Sequence, residues 1–270
     1  MQEIVDWLNG IIWSNALIFL CLATGLFFSI LTRFVQVRLF KEMLHLLVSS
    51  KDSERGISSF QALSVSLSGR VGTGNIAGVA AAIGFGGPGA VFWMWIVAFL
   101  GASTAYVESA LGQIYKEEDE GQYRGGPAYY IEKAMGQKWY AWIFAITTII
   151  ATGLLLPGVQ SNSIGNAAEL AFGGETVISF FGDSISATKI ATAVIVVTVL
   201  GFIIFGGVKR IAHVTQIVVP FMALGYIVMA LGVIAFHIGD LPKIVTLIVT
   251  DAFTPMAGVG AAIGWGVKRG

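Results

Sequence analysis

The chain has 270 residues, of which 56% are hydrophobic and only 12% charged, with no net charge at neutral pH and a mean hydropathy of +0.79. A soluble domain carries about a quarter charged residues, so much of this surface must face lipid, and the balanced charge argues against nucleic acid as a partner. Cys21 is the sole cysteine, so no disulfide closes within the chain, and its place in an apolar run makes it a small hydrophobe.

The first ten residues hold Glu3 and Asp6 but no Lys or Arg, and the first basic residue, Arg33, follows the first apolar run. That is the pattern of a retained membrane helix rather than a cleaved leader. A crossing needs about 20 mostly apolar residues, and seven segments supply them: 11–32, 60–84, 88–115, 139–161, 188–207, 212–236 and 247–267. The second and seventh are interrupted by glycine and small polar residues. Between the first two, R-F-V-Q-V-R-L-F-K-E-M-L-H-L-L-V from Arg33 has the rhythm of an interfacial amphipathic helix. The run from Lys116, K-E-E-D-E-G-Q-Y-R-G-G-P, reads as a solvated inner loop, and 165–187 as an outer one. His45, His213 and His237 are scattered without metal-ligand spacing.

Orientation follows from charge. With the N-terminus outside, the inner segments hold Arg33, Arg38, Lys41, Lys51, Arg55, Lys116, Arg124, Lys133, Lys138, Lys209, Arg210, Lys268 and Arg269, which is 13 of the 16 basic residues. The outer segments hold Lys189 and Lys243, and Arg70 falls within the second segment. This is the bias of the positive-inside rule.

The stretch S-G-R-V-G-T-G-N-I-A-G from Ser68 has glycines near the spacing of a phosphate loop. A nucleotide loop needs a strand before it, and an acidic residue about 20 positions later for a ribose. Here F-W-M-W-I-V-A-F-L stands in that neighbourhood, so the nucleotide reading fails. Two readings survive. Small residues allow close helix packing, which Ala77, Gly78, Ala80, Ala81 and Ala82 suit. Alternatively V-G-T-G-N, Val71 to Asn75, is an unwound point whose freed backbone groups hold a ligand. Packing explains the glycines but not Thr73 and Asn75.

Gln160, Ser161, Asn162 and Ser163 form a second polar island, beside Pro157-Gly158, which should disturb the fourth helix. These polar residues are also what the outer mouth of a helix would carry. The seventh segment repeats the theme with Thr254, Pro255, Gly258, Gly260, Gly264 and Gly266. Segments two and seven lie five helices apart and cross in opposite senses, the layout of inverted-repeat transporters whose paired broken helices mark the site. The residues thus predict a secondary transporter for a small polar, zwitterionic substrate. Arg70 and Glu108 are ionisable groups within membrane segments. They either pair as an inner gate or snorkel to the interface. Trp93, Trp95, Phe92 and Phe99 read as packing or lipid contacts. No nucleophile–base–acid set appears, and the chain is read as a carrier, not an enzyme.

Three motifs carry a family likeness: S-G-R-V-G-T-G-N-I-A-G-V-A, G-G-P-G-A-V-F-W-M-W-I-V-A-F-L-G from Gly86 to Gly101, and R-G-G-P-A-Y-Y-I-E-K-A-M-G from Arg124. Together they resemble the signature of the alanine or glycine:cation symporter family, across essentially the whole chain. The resemblance implies sodium-coupled uptake of alanine, with glycine as a further substrate, across the cell membrane. It also implies an all-α LeuT-like fold in which an extra helix (11–32) precedes a first five-helix repeat (60–236) and the start of a second (247–270). V-G-T-G-N is similar to the V-G-x-G-N of neurotransmitter:sodium symporters. That likeness implies that Gly72, Thr73 and Gly74 meet the substrate carboxylate and that Asn75 meets sodium or the amino acid. Gly69 and Val71 would join Asn75 around the ion, Gln160 would face the substrate, and Phe253, Thr254 and Met256 would line its side-chain pocket. Family members continue past V-K-R-G into F-S-N-E-A-G and about four further helices. The expectation is therefore of an N-terminal part of a symporter. The alternatives are proton coupling, another small neutral amino acid, or a non-transporting membrane subunit that tolerates Asn75→Ala and Gln160→Ala.

Overall fold

The computed structural model describes residues 7, 10, 11, 14–48, 57–119, 121–174, 177–180 and 183–254. The chain is helical, with two short antiparallel ribbons in its loops. Four helices among the described residues are long and apolar enough to cross a bilayer: Ala90–Ile114, Lys138–Phe172, Ala187–Ile204 and Gly207–Phe236. They match the third to sixth predicted segments. The first is a shorter apolar helix, the second is split in two, and the body of the seventh, with Pro255 and Met256, lies outside the described residues. The chain divides into two compact units, residues 1–49, 74–114 and 222–270 in one, and 50–73 and 115–221 in the other.

Most of the buried residues among those described are small. Ala82, Ala90, Ala141, Ala212 and Ala252 are buried with Ser29, Ser64 and Ser103, while Leu170, Phe205 and Phe236 are each at least 90% exposed. This inverts a water-soluble core, as lipid demands. Large apolar side chains lose nothing by facing acyl chains, and small ones let helix backbones approach. Hydroxyls on these helices bond the carbonyl one turn back, as Thr24 does to Leu20 and Thr198 to Val194, so they enter lipid already satisfied.

In the first unit, α1 (Asn15–Leu31) packs on α6 (Ala90–Ile114). Gly25 sits so close that a Cβ there would stand 3.0 Å from Leu100 Cβ. Below it, Ser29 donates to Ser103 (3.0 Å), and Ser103 donates to the Leu100 and Gly25 carbonyls at 2.8 and 3.0 Å. Gln36 Nε2 donates to Ser29 (3.1 Å) and so fastens the next turn of chain to this pair. Arg33 and Phe34, at φ +53° and +51°, turn the chain into α2 (Val35–Arg38) and α3 (Phe40–Val48). The amphipathic stretch is therefore two short helices. The remaining described elements are a wide π turn at Gly74–Gly78, α5 (Val79–Gly86), the part of α11 (Gly207–Phe236) from Met222 onward, a 3-10 turn at Ile238–Asp240, and α12 (Leu241–Asp251).

The second unit opens with α4 (Ser59–Ser68). A capping box starts it, in which Ser58 accepts from the Gln61 N–H and Gln61 Oε1 accepts from the Ser58 N–H. The loop run from Lys116 forms the ribbon β1 (Glu117–Asp119) with β2 (Gln122–Arg124), in the register Glu117↔Arg124. Arg124–Asp119 and Lys133–Glu117 ion pairs, both 2.8 Å, tie it to itself and to α7 (Pro127–Met135). Pro127 starts α7 where its missing N–H costs nothing, and Gly136 in the left-handed region ends it. Then α8 (Lys138–Ile150), a π turn (Ala151–Leu155) and α9 (Leu156–Phe172) run on as 35 helical residues. That length, about 52 Å, overshoots a hydrocarbon core of about 30 Å. A second ribbon, β3 (Val177–Phe180) with β4 (Asp183–Ser186), leads to α10 (Ala187–Ile204), and α11 (Gly207–Phe236) follows. Lys189 on α10 pairs with Glu169 on α9 at 2.9 Å.

Ser103→Ala would leave the Ser29 hydroxyl buried without its acceptor, a loss of about 1–3 kcal/mol. The midpoint of thermal unfolding in detergent should fall. Thr104→Ala, whose hydroxyl bonds only its own helix at Gly101, should leave the midpoint nearly unchanged.

Candidate functional site

Two glycines and the small polar residues around them end α4 early. Gly69 caps the helix, and the Arg70 and Val71 N–H groups close its last turn on the Leu67 carbonyl. The backbone leaves helical geometry at Val71 and Gly72, and helix resumes at Thr73. The sequence places the break at Val71–Asn75; the structure places it at Gly69–Gly72, with the Gly74–Gly78 π turn after it. Glycine at 69, 72, 74 and 78 removes the side-chain packing that would hold a regular helix there.

Thr73 N–H, a donor freed by the break, points at Gln160 Oε1, 3.3 Å away. The same carboxamide lies close to Gly72, where a Cβ would come within 2.6 Å of Gln160 Nε2. Gly72, Thr73 and Gln160, separated by 87 residues from Thr73 to Gln160, are thus one cluster inside the second unit. Gln160 is half-buried. Its helix is disturbed as predicted, but upstream. Pro157 cannot donate to the carbonyl of Gly153 and its ring crowds that carbonyl, so the preceding turn widens into the π geometry of Ala151–Leu155. Ser161 bonds back to the Pro157 carbonyl, leaving Gln160 as the island residue that reaches the break.

The remaining expected residues are placed as follows. Gly74 and Asn75 begin the π turn and are exposed, in the first unit. Arg70 bonds Ser66 one turn back on α4, and Glu108 is exposed on α6. Phe253 rests on Phe92 and Trp93, with ring centroids 5.7 and 6.4 Å apart. Thr254 turns back on Asp251, its N–H and hydroxyl both donating to that carbonyl at 3.0 and 2.7 Å. Met256 lies outside the described residues.

Sequence reasoning missed two residues here. The Asp251 carboxylate accepts the Gly89 N–H at 2.9 Å, and the Trp93 indole N–H donates to the Ala252 carbonyl at 2.6 Å. Trp93, read as a packing residue, is a polar fastener. The available signal was an acidic residue ending an apolar helix, opposite a G-G-P-G turn able to approach it closely. Among the described residues no cluster of His, Cys, Asp and Glu could hold a metal ion.

The model of the sodium:alanine symporter family matches residues 1–270. A putative sodium/proton-dependent alanine carrier protein of Bacillus subtilis, YrbD, is 54% identical over all of this chain and 54% of its own length. The probable sodium/glutamine symporter GlnT of the same organism is 42% identical over all of this chain and 55% of its own. The sodium/alanine symporter AgcS of Methanococcus maripaludis is 37% identical over 99% of this chain and 59% of its own. The chain spans about half the length of these relatives.

Gly72→Ala should push the flexible Gln160 carboxamide aside and break its bond to the Thr73 N–H, destabilising the fold by the net worth of that bond, about 0.5–1.5 kcal/mol, and lowering the unfolding midpoint. In a Gln160→Ala background the same substitution should cost much less. Equal losses in both backgrounds would mean that the close approach is not what requires glycine.

Proposed function

The chain belongs to the sodium:alanine symporter family, and on that premise we propose that it forms the first part of the substrate and ion site of a sodium-coupled alanine carrier. It is a multi-pass membrane protein of a family of carriers, not enzymes. The observation that carries the reading is the Thr73 N–H held by Gln160 beside Gly72. A half-helix start with a donor aimed at a neutral acceptor is suited to a carboxylate. The relatives' activity belongs to longer proteins, so what is assigned to these residues is their share of it.

In this reading the fold is LeuT-like, with residues 11–32 as an extra helix, 60–236 as the first five-helix repeat and 247–270 as the start of the second. The chain sits in the cell membrane with its N-terminus outside. The alanine carboxylate takes the N–H groups of Gly72, Thr73 and Gly74, where unwinding aims several donors at one anion. Asn75 offers an amide oxygen to sodium, with the backbone carbonyls of Gly69 and Val71 completing that part of its shell. Gln160 turns its oxygen to the substrate ammonium. Phe253, Thr254 and Met256 bound a pocket small enough for a methyl group, with glycine as a second substrate. Arg70 and Glu108 close the inner side by ion pairing. Sodium orders the unwound stretch, the amino acid docks on it, and the site opens alternately to each side of the membrane.

A second reading, proton coupling, is favoured by the words "sodium/proton-dependent" in the name of YrbD. Uptake of labelled alanine into vesicles separates the two. A sodium gradient at equal pH should drive accumulation, and a pH gradient without sodium should not; the reverse result would install the proton. Gln160→Ala should raise the half-saturating alanine concentration about tenfold or more, the loss of one hydrogen bond to a charged group, and Asn75→Ala should raise the half-saturating sodium concentration. Unchanged uptake in both variants would end this assignment of the site.

A further inference from the structure

Asp251 is the last residue of α12, the end of a helix where a negative charge is disfavoured. Its Oδ2 is instead given to the start of α6, a 25-residue helix, at the Gly89 N–H. There the dipole and the free N–H groups favour an anion. The turn before α6 is shaped to admit it. A Cβ on Gly87, which has φ +76°, would stand 2.5 Å from Oδ2, and a Cβ on Gly89 would collide with the backbone of Asp251 and Ala252. The Trp93 indole then takes the Ala252 carbonyl, and Ala252 itself is buried. Four residues of the G-G-P-G-A-V-F-W motif thus grip three consecutive residues, Asp251, Ala252 and Phe253.

We propose that Asp251 is a positioning residue. Its carboxylate, with the Trp93 indole as second fastener, holds the turn 252–254 against the start of α6 and so fixes where Phe253 and Thr254 stand. The inference rests on the transport reading only for what those two side chains touch. Gly87 and Gly89 are required because the carboxylate and the α12 terminus occupy the space their side chains would fill. The carboxylate is required as an acceptor for an N–H group, so asparagine, which keeps an acceptor oxygen, serves in its place.

The test uses the full-length protein in membrane vesicles, with every native cysteine, Cys21 included, replaced by serine and Thr254→Cys supplying the one thiol. The rate of labelling by a small charged thiol reagent then reports how firmly the turn is held. Asp251→Ala should speed labelling roughly tenfold, Asp251→Asn should return it close to the parent rate, and Trp93→Phe, which keeps the ring and loses the N–H, should speed it as well. Labelling unchanged in both Asp251→Ala and Trp93→Phe would overturn the proposal, as would failure of Asp251→Asn to restore the rate. Alanine uptake, measured with Thr254 intact, separates this inference from the transport reading. A raised half-saturating concentration with the maximal rate kept supports both. A shifted labelling rate with unaltered alanine uptake keeps the positioning role and removes Phe253 and Thr254 from the substrate pocket.

Discussion

A bilayer offers no partner to a bare N–H or C=O, so a chain that breaks a helix there must supply the replacement itself. That constraint organises the break after α4. Unwinding at Gly69–Gly72 frees backbone groups, and the Gln160 carboxamide, brought from α9, meets one of them at Thr73. For Gln160 to reach, α9 must be spaced by the π turn ahead of Pro157, and Gly72 must lack a side chain. Three sequence features far apart serve one satisfied donor.

The same constraint explains where strength is concentrated elsewhere. Helix pairs are joined by small residues and by hydroxyls that bond across, as at Gly25, Ser29 and Ser103, rather than by large apolar side chains that lipid would solvate equally well.

Composition and charge made the long spans legible, because twenty apolar residues in a row have few other uses. The break after α4 was legible to within two residues at its start and three at its end, since glycine spacing states where helix is weak. Its partner was not. Periodicity tells which face of a helix is apolar but not which residue 87 positions away will touch it; the polar island marked Gln160 to Ser163 together, and only the family resemblance set Gln160 apart as the residue facing the substrate. Pro157 signalled a disturbance correctly, yet the widened turn lies before it, because the crowded carbonyl belongs to the residue four earlier. Asp251 was illegible for a different reason. It lay near the start of the seventh apolar segment with nothing in the pattern to single it out, and its partner is a backbone N–H that no side chain advertises.

Glutamine rather than glutamate at position 160 has a physical consequence for the proposed site. A carboxylate there would form a charge-assisted bond with the Thr73 N–H, roughly twice the strength of a neutral one. It would hold the half-helix start permanently against any incoming anion. The carboxamide satisfies the donor through a longer, neutral bond of 3.3 Å, worth about 0.5–1.5 kcal/mol net. A substrate carboxylate offers more than that and can take its place, after which the amide oxygen is free to turn to the substrate ammonium. In the proposed site, the residue that satisfies the broken backbone is therefore weak enough to yield and polar enough to be reused.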